Sequence, residues 1–450
     1  MPAATEYIQD HTSREYHALE DAYAKEAEAR IAAIDRAWQY YKGQMHRPLK
    51  IESDGVDDNI ILPKVAEIAD KLRSFLLGDG VQFDCDPSSQ EPGPLDEALS
   101  QIWRANRGKR LLADVTLDGI LAGHCWWQVV PVRSAVPRLI AQDPRHCSAF
   151  WDVFDTGKVL WYRLQASGGG KSRRQDYVLE NETWTQYVYE RPDSSTKWAL
   201  IGQPERLEWL PIVDWQNSAL SHSFYGVEDV GPALALNDSI NLIASDYARI
   251  LKHHASPRTI GLGMDAAEVV ASEIGGFFTV NKPKTEAEIF NLEMTSDLKA
   301  AFDYLQFLIR EAWHSGRMVD PATVKDHIGT LTNFGLRVMM HDALAKTADK
   351  RELYGEGLER LSKTALLAAG QTPPEEIAVT WPDVLPEDPA EVQMVMGELQ
   401  AKIISLQTYR EKRNYDHEQE TQRIAEEGEG EEDLGSRILA AFEKGGNAPA

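Results

Sequence analysis

The longest regular pattern of apolar residues lies between Leu331 and Leu361. From Leu336 onward, apolar side chains recur at steps of three and four residues, a spacing that predicts an amphipathic helix. A helix continuous to Leu366 would be about 31 residues and roughly 45 Å long, nearly the span of a compact globule of this chain length. Gly355 and Gly357 leave a second interpretation, two shorter helices separated by a kink, because glycine is unfavourable in a helix interior.

The same spacing predicts further helices on the N-terminal side of this one. Gly43 and Gly78 follow two of these patterns and are suitable stop residues, and Pro232 suits the first turn of another. The predicted helices are residues 14–42, 63–77, 95–123, 231–254 and 297–314.

Between Cys125 and Gln216 the pattern changes to short runs of β-branched and aromatic residues separated by turn residues. This alternation predicts an antiparallel β region with its tryptophans packed in the core. Within it, SGGGKSRRQ (Ser167–Gln175) superficially resembles a phosphate-binding loop, but Gln165 stands where that loop requires glycine. Two strands flank the segment, so a flexible hairpin tip is predicted and not an ATP site.

The segment between the helices at 231–254 and 297–314 predicts a small α/β insert. SPRTIGLG, GGFFTVNK and AEIFNLE have the composition of strands, and DAAEVVASEI that of a short helix. A proline-rich connector begins the C-terminal third, a helical pattern follows, and the acidic run Glu426–Asp433 predicts a solvated tail. The fold class predicted for the chain is α+β, predominantly helical.

Composition excludes several classes of protein. The chain has 450 residues, of which 43% are hydrophobic and 26% charged, as expected of a globular protein with two or three domains. Its formal net charge of −24 argues against tight binding of nucleic acid over a broad basic surface. No apolar run reaches the ~18 residues that a membrane-spanning helix needs. The polar, acidic N-terminus predicts no signal peptide, so synthesis in a cytosol is expected.

Candidate chemistry is sparse. Cys85, Cys125 and Cys147 cannot form a disulfide framework and lack the paired spacing of structural zinc ligands, so a reducing compartment and no metal site are expected. His253 and His254 are neighbours on a predicted helix and point to different faces. No motif of a hydrolase, metalloprotease or dinucleotide-binding enzyme is present, so no catalytic residue and no cofactor are predicted.

In this order, the segments resemble the portal proteins of tailed bacteriophages over roughly residues 30 to 425. WQYYKGQMHRPLK and NIILPKVAEIADKLRSFLLGDGVQF are similar to the opening of that family. YGVEDVGPALALNDSINLIASDYARILKHHASP resembles its entry into the stem. GTLTNFGLRVMMHDALAKTADKRELYGEGLERL is similar to its tunnel loop and long wing helix, and WPDVLPEDPAEVQMVMGELQAKIISLQTYREK to its C-terminal segment.

The resemblance implies a portal architecture with wing, stem, clip, tunnel loop and crown. It assigns residues 1–230 to the wing with its antiparallel β region, 231–255 to the first stem helix, 256–295 to an α/β clip, 296–315 to the second stem helix, 316–332 to the tunnel loop, 333–370 to the long wing spine helix, 371–425 to the crown and 426–450 to an acidic tail expected to be disordered. The clip and crown are shorter than in larger family members.

The resemblance also implies partners. Members form rings, usually dodecamers, at one capsid vertex of the virion and assemble in the host cytoplasm. Double-stranded DNA is packaged and ejected through the channel, and terminase, the head-tail connector, the major capsid protein and scaffolding proteins dock to the ring. No membrane partner is expected. Twelve copies at −24 each would carry −288, so we expect a largely acidic channel that holds DNA loosely.

By position in the resemblance, three groups of residues are candidates for function. Arg317, Lys325 and His327 are expected in the tunnel loop facing DNA. The second group, at the junction of stem and clip or on the clip surface, comprises Lys252, His253, His254, Arg258, Lys282 and Lys284. The third, in the interface between copies, comprises Leu336, Met340, Leu344 and Leu358.

Two classes of function remain at this point. The first is a structural channel and docking platform without enzymatic activity. The alternative is a phage-encoded hydrolase or nuclease without a recognisable motif. A ring in negative-stain micrographs would distinguish them.

Overall fold

In the computed structural model the described residues are 14–44, 59–78, 80–86, 92–133, 135–152, 154–195, 197–255, 258–262, 277–280, 288–292, 298–323 and 333–384, with a few isolated positions between 393 and 406. For residues 14–24, 253–255, 258–262, 277–280, 288–292, 333 and 334 only the backbone is described. Backbone proximity divides the chain into two units, 1–86 with 93–382, and 87–92 with 383–450. The helices and strands named below belong to the first.

Eight helices of this unit define its architecture. They are α1 (Arg14–Tyr41), α2 (Lys64–Leu77), α3 (Pro94–Ala105), α4 (Gly108–Ala122), α5 (Gly231–Ala255), α6 (Leu298–Ser315), α7 (Asn333–Met339) and α8 (His341–Ala368).

The strands form four sheets in the described part of the chain. They are β1 (Gln82–Asp84), β2 (His124–Val130), β3 (Arg138–Ala141), β4 (Cys147–Trp151), β5 (Val159–Gly168), β6 (Lys171–Glu180), β7 (Thr183–Pro192), β8 (Ala199–Leu200), β9 (Glu205–Leu207), β10 (Ile212–Gln216), β11 (Arg258–Leu262), β12 (Phe277–Val280), β13 (Glu288–Leu292) and β14 (Ala378–Thr380). The first two sheets have the strand orders β10-β2-β3 and β4-β5-β6-β7-β8, with β9 also paired to β7. The other two are the pair β1-β14 and the sheet β12-β11-β13.

The order of the first two sheets confirms the predicted antiparallel β region. All of their pairings are antiparallel, and Gly168 pairs with Lys171 across a tight turn. SGGGKSRRQ is therefore a hairpin tip, as predicted. Gly169 and Gly170 make that turn with φ of 65° and 81°, in the left-handed region that favours glycine.

Successive residues of β2 belong to two separate cores, because side chains alternate between the faces of a strand. Trp127 packs with Trp215 and the helices α3, α4 and α8. Trp126 packs on the opposite face with Tyr162 and Tyr177 of the second sheet. The sheet β10-β2-β3 is thus a middle layer between the helices and the second sheet, and we call it the middle sheet.

Helix α8 is the long helix of the sequence pattern, and it is continuous through both of its glycines. It spans 28 residues from His341 to Ala368, and the kink predicted as an alternative at Gly355 and Gly357 is absent. The pattern is instead interrupted at Met340, which separates α7 from α8. Gly357 is required by packing, because a Cβ there would lie 2.2 Å from the Trp215 ring.

The predicted helix 95–123 is two helices, and the reason is a tertiary contact. Asn106 ends α3, donates from Nδ2 to Ile102 O and Pro137 O, and accepts from Leu139 N. Arg107 then adopts a left-handed conformation with φ 55°. Because the Asn106 side chain bonds to Leu139 of β3, its role is not visible in the local sequence pattern.

The predicted α/β insert has a mixed sheet. Strand β11 pairs in parallel with β12 and antiparallel with β13, and this sheet lies between α5 and α6 in the chain. The short helix predicted between β11 and β12 lies outside the described residues.

Candidate functional site: the root of the two long helices

Helices α5 and α6 form an antiparallel pair. Tyr247 of α5 lies beside Phe302 of α6, with 6.1 Å between ring centroids. The start of α5 and the end of α6 meet at one place, because Lys346 of α8 contacts Asp229, just before α5, and Gly316, just after α6. We call this place the root of the helix pair.

The centre of the root is the carboxylate of Asp229, which is 2% exposed. Lys346 Nζ lies 2.8 Å from one oxygen and donates to Gly316 O at 3.1 Å. Lys350 Nζ forms an ion pair with the other oxygen. Two lysines of α8 therefore hold both ends of the helix pair through one buried carboxylate.

The rest of this network joins α8 to the middle sheet. Asn217 donates from Nδ2 to Asp229 at 2.9 Å, and its Oδ1 accepts from Lys350 Nζ and from the Tyr354 hydroxyl, both at 2.9 Å. The Cys125 thiol of β2 lies 3.3 Å from that hydroxyl. We call Asn217, Asp229, Lys346, Lys350 and Tyr354 the root network.

The charges of the neighbouring lysines determine the protonation state of Asp229. Burial alone would raise the pKa of Asp229, but the neighbouring charges of Lys350 and Lys346 outweigh that effect and hold the pKa below its usual range. Asp229 is thus ionised at neutral pH. The network is a satisfied charged cluster that ties four segments together.

A second row of polar contacts ties α5 to the extended segment before α2. Asparagine and serine side chains at every fourth position of α5 accept hydrogen bonds from alternate N–H groups of the extended segment before α2. The pairs are Lys64 N with Asn237 Oδ1 at 2.9 Å, Leu62 N with Asn241 Oδ1 at 2.8 Å and Ile60 N with Ser245 Oγ at 3.0 Å. This side of α5 therefore faces the subunit's own chain.

The helix pair also exposes large apolar residues. The Tyr304 and Phe307 rings stack on each other at 6.3 Å, with 53% and 48% of their surface exposed. Such a concentration of aromatic surface is typical of a protein–protein interface. The exposed apolar residues of α5 and α6 are Leu242, Leu251, Phe302, Tyr304 and Phe307.

Arg317 occupies a position where glycine is usual. Met318 N donates to Trp313 O at 3.0 Å and Arg317 N to His314 O at 2.8 Å, the two bonds of a Schellman motif that ends α6. Arg317 is left-handed with φ 58° and its side chain is exposed, whereas Met318 is buried. The backbone thus projects the guanidinium outward at the start of the predicted tunnel loop.

The other predicted site residues are placed as follows. Lys252 is exposed near the end of α5. His253 and His254 lie in the last turn of α5 and Arg258 begins β11, with only their backbone described. Lys325, His327, Lys282 and Lys284 lie outside the described residues.

The predicted interface residues need one correction. Leu336, Met340 and Leu344 are half-buried, but Leu358 is fully buried in the core between α8 and the middle sheet. It is therefore unavailable to a second copy, and the prediction for Leu358 is corrected. The buried face of α8 in its first half consists of Ala343, Thr347, Lys350 and Tyr354.

The root network was missed by the sequence interpretation. Lysines on a helix normally indicate a solvated face, and their partners come from distant segments. The available signal was spacing, because Lys346, Lys350 and Tyr354 recur at every fourth position and so share one face of α8.

Metal-ligand clusters and membrane-spanning helices are absent from the described residues. In the described ranges, no three His, Cys, Asp or Glu side chains come together in a way that could hold a metal ion. Every described helix is too short or too polar to cross a bilayer.

Comparison with known proteins identifies the class. The family model for phage portal proteins of the SPP1 Gp6-like type matches residues 20–433, so the chain belongs to this family of phage portal proteins. No curated protein matches the chain in sequence. A chain of a solved structure, the virion of a native gene transfer agent particle, is similar with a TM-score of 0.45 and 13% identity, covering 78% of this chain and 89% of that one.

Family membership confirms the resemblance drawn from the sequence and the portal role it implied. Together with the described helices and strands, it also confirms an α+β fold in which helix exceeds strand. The protein is a phage portal protein, a virion component that functions in an oligomeric ring. The family is structural, so the hydrolase or nuclease alternative loses its motivation.

Proposed function

We propose that twelve copies of the chain form a closed ring at one vertex of the capsid and that double-stranded DNA is packaged and ejected through its channel. The observation that carries this proposal is the antiparallel helix pair, whose α6 exposes the stacked rings of Tyr304 and Phe307 and whose α5 is tied to the subunit's own chain. In a ring, this apolar surface faces the next copy. Burying a phenylalanine side chain completely stabilises by about 1.5–3 kcal/mol.

The chain divides by function in the way its family suggests. Residues 1–230 form the wing, 231–255 and 296–315 the stem, 256–295 the clip, 316–332 the tunnel loop, 333–370 the spine of the wing, 371–425 the crown and 426–450 the tail. The clip docks terminase during packaging and the head-tail connector afterwards. The wing contacts major capsid and scaffolding proteins.

The root network gives the stem a rigid connection to the wing. DNA that moves through a stem exerts force on it, and this force must pass into the wing without bending the helix pair. A buried ion pair with fixed geometry suits this purpose, because breaking it leaves an uncompensated charge at a cost of about 3–5 kcal/mol. The network thus keeps the bore constant under load.

The charge of the chain suits a channel for moving DNA. Tight phosphate contacts would stall the duplex, and a formal charge of −24 per copy disfavours them. A few cations at the tunnel loop, with Arg317 at its start, steer the duplex. The protein has no enzymatic activity and no cofactor in this proposal, and energy for packaging comes from the docked terminase.

Substitution on the helix pair tests the ring. Phe307→Asp places a charge in a packed interface, so we expect native mass spectrometry to show monomers in place of closed rings. Leu220→Asp is the matched control, because Leu220 is 49% exposed and lies outside the helix pair. Rings that persist in Phe307→Asp, or disappear equally in both variants, contradict the assignment of this surface.

A further inference from the structure

One side chain of the described chain is almost entirely in solvent although it is strongly apolar. Phe154, in the turn between β4 and β5, is 95% exposed. The other large apolar residues exposed in the described ranges reach at most 59%. Anchors of protein–protein interfaces are often aromatic side chains that fill a pocket of the partner.

The turn holds Phe154 in place with its own hydrogen bonds. Asp152 Oδ1 accepts from Phe154 N at 2.9 Å, and Asp155 Oδ1 accepts from Gly157 N at 3.0 Å. Asp152 N donates to Lys158 O at 2.9 Å and closes the base of the turn. Phe154 is therefore flanked by two carboxylates that bond to the backbone of the turn. We call residues 152 and 154–158 the knob.

A cavity with complementary chemistry lies elsewhere on the subunit, between α2, β1, α3 and α4. It has a volume of 860 Å³, enough for an aromatic side chain and its neighbours. Its floor is apolar, with Leu77, Phe83, Leu99, Trp103 and Leu112 among the lining residues.

The mouth of this cavity is basic, in a chain that is acidic overall. Four exposed cationic residues line it, and the acidic lining residue, Asp96, already accepts from Cys85 N and Gly93 N. Arg107 is held there by a left-handed backbone, and Gly108 next to it is packed so closely that a Cβ would lie 2.1 Å from Trp103. The four cations are Arg104, Arg107, Lys109 and Arg110.

We propose that the knob of one copy inserts Phe154 into this cavity of the neighbouring copy, with Asp152 and Asp155 facing the cations at its mouth. Within one copy the knob does not fill the cavity, since Phe154 is exposed. The two features also belong to different layers, because the knob follows a strand of the second sheet and the cavity is lined by helices and β1. Each copy has one knob and one cavity.

A contact between two different surfaces of identical copies propagates from copy to copy and closes when the rotation between copies closes. A knob and a cavity on each copy can therefore link the copies into a closed ring. This inference rests on the proposed ring and adds the wing contact that fixes its rotation.

Photo-crosslinking within rings tests the contact. Phe154 is replaced by the photoreactive analogue p-benzoylphenylalanine, and rings are assembled from a mixture of isotope-labelled and unlabelled copies. We expect cross-links between copies that map to Leu99, Trp103 or Leu112. The same analogue in place of Leu220 is the control and should give no cross-link to these residues. Rings whose cross-links from position 154 fall elsewhere overturn the inference and leave the proposed function standing, whereas absence of rings contradicts both.

Substitutions measure the strength of the contact. Phe154→Asp leaves the fold intact because the side chain is exposed, and Ser100→Trp fills the cavity from its lining. Each should raise the concentration at which rings dissociate about tenfold or more. The double variant should be no weaker than the more damaging single one, because both remove the same contact. Unchanged dissociation in Phe154→Asp, or additive effects, would overturn the inference.

Discussion

The Nζ of Lys346 lies 2.8 Å from Oδ1 of Asp229, and this ion pair fixes α8 to the residue that precedes the helix pair. The same Nζ binds the carbonyl of Gly316 at the other end of the pair. One lysine therefore determines where both long helices leave the core. The remaining members of the root network are satisfied around this contact.

Removing the charge of Asp229 should be costly. In Asp229→Asn the buried Lys350 and the half-buried Lys346 lose their counter-ion, so we expect the free energy of unfolding in urea to fall by about 3–5 kcal/mol. Glu67→Gln is the control, because the Lys64–Glu67 pair at 2.8 Å is partly exposed and should contribute less than about 1 kcal/mol. Equal losses in the two variants would show that the root network is not a structural centre.

The two glycines of α8 should respond in opposite directions to alanine. At Gly355 a new Cβ would meet its nearest neighbour at 3.9 Å, so Gly355→Ala should stabilise the helix by about 0.5–1 kcal/mol. At Gly357 the Cβ would overlap the Trp215 ring at 2.2 Å, so Gly357→Ala should destabilise by about 1–3 kcal/mol or more. Thermal unfolding of both variants checks this, and a shift of the same sign in both would contradict the packing described.

Asp118 should make stability fall with rising pH. Burial, followed by repulsion from Asp143 and Asp114, raises the pKa of Asp118 to about 8. A carboxyl whose folded pKa exceeds its unfolded value of about 4 favours the folded state below pH 4, and this contribution is lost as pH rises towards 8. The melting temperature of Asp118→Asn, relative to the natural chain, should therefore increase between pH 4 and pH 8. A constant difference over this range would contradict the raised pKa.

Arg317 allows charge and fold to be tested separately. Arg317→Gly suits φ 58° and should stabilise by about 1 kcal/mol, whereas Arg317→Glu keeps the unfavourable backbone. Both remove the positive charge, and combined with Lys325→Glu each should reduce the fraction of particles that retain DNA while rings still form. Arg317→Lys, which keeps the charge, is the control. Normal DNA retention in the double variants would refute the assignment of this loop to the channel.

The sequence predicted the strands and most helices because their signals are local. Alternating aromatic and β-branched residues set β4 to β7, and the Gly169–Gly170 turn follows from its own residues. Breaks at Asn106 and Met340 could not be predicted, since Asn106 is determined by contacts to Pro137 and Leu139 on another element.

The functional surfaces were harder to predict for the same reason. The assignment of Arg317 to the tunnel loop came from its position in the family pattern and stays a prediction. The root network was missed, since Lys350 has the appearance of a surface residue until Asn217 and Asp229 are brought beside it. The exposure of Phe154 depends on β4 ending at Trp151, before this residue, and has no sequence signal.

The central claim is that this chain forms a closed ring whose channel is bounded by the helix pair, and cryo-electron microscopy of the purified full-length protein tests it most directly. The account predicts a closed ring with one central bore wide enough for duplex DNA, with α5 and α6 of each copy nearest the bore. Monomers at micromolar concentration, a two-fold dimer, or a ring with the helix pairs on its outer edge would contradict it.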